Sequence, residues 1–199
     1  MTGSGSRQDT GQAFPIYITV VAGLLFLALA YLAVGQAAVN RGGAQTAADA
    51  AALAAAQDRR DQLAGKWVDD LLDPTKWQAI FDGDVRLPPS CWRAEELAAQ
   101  NDADAQCSPQ GPLAFTVRAE THKSVGDSVV PGSENFHSKA SAKAVIKSIC
   151  TFAEPGEGAG GDVLPRLVCE NGRDWDLKPD DLTQLPEPQD LFDVHLAAD

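Results

Sequence analysis

The chain has 199 residues, is 44% hydrophobic and carries a formal net charge of −12. That length and apolar content suffice for one folded domain plus an appendage and exclude a disordered acidic tail. Before Gln57 the charged residues are Arg7, Asp9, Arg41 and Asp49, which cancel, so the negative excess belongs wholly to the C-terminal part and argues against binding of nucleic acid or of anionic lipid headgroups.

The first element is apolar. Residues 10–40 contain no Asp, Glu, Lys, Arg or His, and their centre reads FPIYITVVAGLLFLALAYLAV. A helix needs about 20 such residues to cross the hydrocarbon layer. A single transmembrane helix is therefore expected over residues 14–39, with Pro15 in the first turn and Phe14, Tyr17 and Tyr31 near the two interfaces. A cleaved signal peptide is the rival reading, because Ala28 to Ala30 offers small residues. Its basic region is weak, since Asp9 offsets Arg7, and the apolar run exceeds the roughly 7 to 15 residues of a signal core. An uncleaved anchor is expected, with residues 1–13 as a short cytoplasmic tail and the acidic part outside.

Directly after it comes AQTAADAAALAAAQDRRD, residues 44–61, almost pure helix propensity. Ala44, Ala48, Ala52 and Ala56 recur at spacing four, as do Ala47, Ala51 and Ala55, while Gln45, Asp49, Leu53 and Gln57 form a third stripe. Small stripes let another element approach backbone to backbone. The expected structure is a helical stalk over residues 40–64, continuous with the anchor or hinged at Gly42 and Gly43. It is either a face for a partner helix or a solvated spacer.

Gly11-Gln12-Ala13, one apolar helix, Asn40-Arg41 and then the run from Gln45 through Ala47, Ala48, Asp49, Ala51, Ala52, Leu53 and Ala55 to Ala56 form a recognisable pattern. It resembles the Q-x-A-A-D-A-A-A-L-A-A-A signature of the TadE/TadG-like proteins of tight-adherence (Flp-type) pilus assembly, most nearly the actinobacterial type. The resemblance covers about residues 9–60. It implies a membrane-anchored structural or accessory component whose helix meets other single-span pilus or pilin-like subunits. Some relatives are cut after a glycine with a glutamate five residues on; here the fifth residue after Gly11 is Ile16, so the chain is more similar to the unprocessed type.

Farther on, Leu63, Trp67, Leu71 and Leu72 continue at helical spacing until Pro74 interrupts them. Short helices are expected at residues 75–81 and 93–100, and NDADAQ reads as a polar loop leading to Cys107. Phe115, Val117, Ala119 and Thr121 alternate with polar neighbours, as do Ala140, Ala142, Ala144 and Ile146, which predicts two half-buried strands. Residues 166–169 and 191–196 are further strand candidates, separated from their neighbours by EPGEGAGGD and LPEPQD.

Cys91, Cys107, Cys150 and Cys169 form two local pairs without C-x-x-C spacing or a nearby histidine, so zinc is not expected and disulfides in an oxidising compartment are. Of the three possible connectivities the expectation is Cys91 with Cys107 and Cys150 with Cys169. Buried free thiols are the alternative.

No catalytic motif, phosphate-binding loop or metal pattern stands out. His122, His137 and His195 are dispersed, and Asp174, Asp176, Asp180 and Asp181 read as a solvated acidic segment rather than a calcium loop. The expectation is an α+β protein: anchor, alanine-rich stalk, then a disulfide-stapled domain with an antiparallel sheet over residues 65–199. No enzyme activity, cofactor or metal is expected. The competing function is an anchored extracellular binding module, or receptor, with the helix as a spacer.

Overall fold

The computed structural model describes residues 13–124, 136–153, 164–181 and 183–197. The tail up to residue 12, including Gly11, and the glycine-rich residues 154–163 lie outside them.

Helix α1 spans Ala13–Asp69 without interruption, 57 residues or about 85 Å at about 1.5 Å per residue. Gly42 and Gly43 do not hinge it; both lie in the helix with open space where a side chain would stand. A 3-10 turn, Pro74–Lys76, leads into α2, Trp77–Phe81. Helix α3, Cys91–Gln100, then runs back beside α1. Four strands form one antiparallel sheet in the order β1-β2-β3-β7: β1 Ala103–Pro109, β2 Ala114–Ser124, β3 His137–Ser148 and β7 Phe192–Leu196. A smaller antiparallel sheet contains β4 Cys150–Phe152, β5 Leu167–Cys169 and β6 Asp174–Trp175. The four-residue α4, Pro188–Leu191, turns the chain into β7.

Register explains which residues make the core. Phe115 lies opposite Ala144, Val117 opposite Ala142 and Ala119 opposite Ala140, so the period-two pattern puts one continuous apolar face on β2 and β3. On β1, Ala105 opposite Ala119 and Cys107 opposite Val117 extend it. Helix α1 packs against this face, chiefly on β2 and β3, with α3 at its flank. The core is small near Ala44 to Ala56 and aromatic beyond it. Trp67 and Trp77 stand 5.4 Å apart, Trp77 and Phe152 5.3 Å, Phe81 and Phe152 5.7 Å, and Phe81 and Phe192 5.3 Å between ring centroids. Those separations are the favourable range for tilted and edge-on rings.

Three expectations are corrected. The polar stretch read as a loop is an edge strand: β1 begins after Asp102, whose φ of 54° makes the turn, and its backbone satisfies the open edge of β2. Four of its seven residues are exposed, which hid it from a hydrophobicity reading. The boundary at residue 64 does not hold, because Ala47 through Leu71 share one core with the sheet. The Pro-rich LPEPQD is partly helical. Glu187 and Asp190 make a reciprocal capping box around α4, and Asp190 also meets Arg173 at 2.9 Å.

Candidate functional site

The chemistry of α1 changes along its length, and the site with the most specific sequence pattern sits at that change. From Pro15 to Gly35 the helix is a candidate membrane span: 21 residues, mean hydropathy 2.4, none of it buried by the rest of the chain. Large apolar side chains point outward there, Phe26 at 71% exposure and Tyr31 at 83%. From Ala44 the same helix presents methyl groups to the sheet. Ala44, Ala47, Ala48, Ala51, Ala52, Ala55 and Ala56 are all fully buried.

The alanine stripes therefore do meet a close-packed surface, but it is the protein's own sheet. A face that was expected to receive a partner helix, or to stand in solvent as a spacer, is covered by β2 and β3. The reason is complementary size. Ala119, Ala140, Ala142 and Ala144 face it from the strands, with Val117 and Phe115 the larger residues of that face.

The remaining positions of the pattern have separate places. Gln45 Nε2 donates to Asp49 Oδ1 at 2.8 Å and makes a long contact of 3.5 Å with the carbonyl oxygen of Ser141 on β3. These two polar residues thus run along the rim where helix meets strand. Leu53, one turn farther along the same stripe, is half-buried in a groove of about 440 Å³ that it lines with Ala50, Gln57, Asp58 and, from α3, Arg93 and Leu97. One turn past the alanines, Arg59 lays its guanidinium over the Phe115 ring, 5.9 Å from the centroid, and burial lowers its pKa. Sequence periodicity did not single out Arg59. Its position four residues after Ala55 was the available signal.

Both disulfides are local. Cys91–Cys107 ties the start of α3 to β1, and Cys150–Cys169 joins directly opposed residues of β4 and β5. The four cysteines thus clamp regular elements to one another.

Three of the four aspartates weighed for ion binding, Asp174, Asp176 and Asp181, are engaged elsewhere. Asp174 and Asp176 both meet Arg166, at 3.0 and 3.3 Å, and Asp181 accepts from Thr183, which lowers its pKa. His122 pairs with Asp104 and His195 with Asp193, while His137 contacts the carbonyl oxygen of Thr121. Among the described residues no group of three or more His, Cys, Asp or Glu is placed to hold a metal ion.

No curated protein and no solved structure matches the chain. Residues 11–58, from the start of the apolar helix to the end of the alanine face, match the family model described as "Putative Flp pilus-assembly TadE/G-like".

Proposed function

We propose that the protein is a membrane-anchored structural or accessory component of a tight-adherence (Flp-type) pilus assembly system, its α+β domain standing outside the membrane. The observation that carries the reading is that the family match begins and ends with the functional unit of α1: the unpartnered apolar span and the alanine face that fastens it to the sheet. A rigid helix shared by span and domain couples the two mechanically. Force or displacement reaching one end is passed to the other without a flexible linker, which suits a part of an assembly machine better than a tethered receptor.

The two disulfides favour an extracytoplasmic domain, since such bonds persist in oxidising compartments. With the alanine face occupied, a partner reached through the helix meets it at residues 15–35, where every side chain is free of the rest of the chain. A photo-crosslinking residue at Leu27 or Leu29, both well exposed, tests this in intact cells. Adducts with other single-span pilus proteins, and loss of surface fibres on deletion of the gene, are expected. Unchanged fibres in the deletion strain would remove the pilus assignment. The engagement of the histidines and acidic side chains with neighbours favours a structural role over an enzymatic one.

A further inference from the structure

Of the asparagines Asn40, Asn101, Asn135 and Asn171, only Asn171 is followed by a glycine. It stands in the turn from β5 to β6, which is described throughout and lies at the end of β5 away from the connection to β4. Asn171 and Gly172 are both exposed.

The turn holds the Asn171 side chain against its own backbone. Its Oδ1 accepts from the backbone N–H of Arg173 at 3.0 Å, an Asx turn that curls the side-chain amide back over the peptide group of Gly172. The Gly172 nitrogen and the Asn171 Cγ are the two atoms that close a five-membered ring. Gly172 has a φ of 77° and open space where a Cβ would stand, so no side chain shields that ring.

The electrostatics favour attack at Cγ. An N–H already aimed at Oδ1 stabilises the negative charge that develops on this oxygen. The neighbouring acids are engaged with cations, Glu170 with Lys147 at 2.6 Å and Asp174 with Arg166 at 3.0 Å. One contact opposes the reaction: the Gly172 N–H donates to the Cys169 carbonyl oxygen at 3.0 Å and must leave it first. In an exposed turn such an opening is local and costs little.

We propose that Asn171 is a site of spontaneous deamidation in the folded domain, and that its product draws Arg173 away from Asp190. The Gly172 nitrogen gives up its proton to solvent and bonds to Cγ of Asn171, the Cγ–Nδ2 bond breaks, and ammonia leaves with a proton from water. Water then opens the cyclic imide at either carbonyl, giving aspartate or isoaspartate, and nothing is oxidised or reduced. Each product places a carboxylate two residues from Arg173, whose guanidinium otherwise meets Asp190 at 2.9 Å. Asp190 is buried and closes the capping box of α4, so leaving it without its cation is costly.

The test ages the full chain in detergent micelles at neutral pH with both disulfides intact. Peptide mapping by mass spectrometry, with electron-transfer fragmentation to separate isoaspartate from aspartate, follows each asparagine. Conversion at Asn171 is expected to be at least tenfold faster than at Asn101, which is also exposed, and at least a tenth as fast as in the same chain unfolded in urea. Conversion slower than either bound overturns the site, since the turn then shields it. Release of Arg173 is read separately. The aged fraction, isolated by anion exchange, should melt several degrees below fresh protein, and Asn171→Asp should be lowered likewise, whereas aged and fresh Arg173→Gln should melt together. An equal loss on ageing in the parent and in Arg173→Gln, or no loss in Asn171→Asp, overturns the release while the modification site stands.

Discussion

The two halves of α1 are built by opposite rules. From Pro15 to Gly35 the helix turns large apolar side chains outward and none of it is buried by the rest of the chain; from Ala44 the helix turns its smallest side chains inward and buries them. A surface of Leu, Phe and Tyr that extensive is not left in water by a soluble domain. The alanine half needs no such solvent, because its partner is the sheet. The contrast teaches that hydrophobicity and burial are separate properties: the more apolar half is the exposed one.

The largest effect that sharpens this contrast is expected at the wide end of the buried half. Trp67 is fully buried against Trp77, and Trp67→Ala should destabilise the domain by about 3–5 kcal/mol, measured by urea unfolding. A loss under 1 kcal/mol would mean that the helix does not belong to the core.

Next come the staples. Breaking Cys150–Cys169 or Cys91–Cys107, which span 19 and 16 residues, should each cost about 3 kcal/mol by the chain-entropy estimate. Cys91→Ser and Cys107→Ser together should cost little more than either alone, since both remove the same bond. Additive losses would show that the bond is not formed.

The comparison is probed most directly by one substitution made twice. Ala52→Leu forces three carbons between helix and sheet and should cost about 1–3 kcal/mol. Ala28→Leu, on the exposed span, should leave unfolding of the domain within about 0.5 kcal/mol of the parent. Equal losses at the two positions would erase the distinction between the halves.

The smallest effect lies where α1 ends. Hydrogen bonds from Lys66 and Lys76 hold Asp70 below the usual carboxylate range, and those from Thr75 and Lys76 do the same for Asp73. Their folded-state values lie below the unfolded ones, so the stability they add is present above about pH 4 and is lost as the pH falls through the folded values. The acid limb of a stability profile should flatten in Asp70→Asn with Asp73→Asn. An unchanged limb would detach these pairs from folding.

Much of the chain announces itself locally. The apolar span follows from some twenty uncharged residues, the strands at β2 and β3 from strict alternation, and the disulfide partners from pairs close in sequence. In each, the cause acts within a few residues of its effect. Strand β1 was illegible because what makes it a strand is the open edge of β2, which its own mostly polar residues do not reveal.

The alanine face shows the same limit from the other side. Sequence alone determined that residues 44–56 form a helix with two stripes of methyl groups, since alanine has the highest helix propensity and the spacing of four sets the stripes. What would cover those stripes was undetermined, because a methyl surface accepts any equally smooth partner. Only the tertiary structure decided for the sheet, through alanines on β2 and β3 more than sixty residues away that the fold brings opposite, and it thereby made stalk and domain a single body.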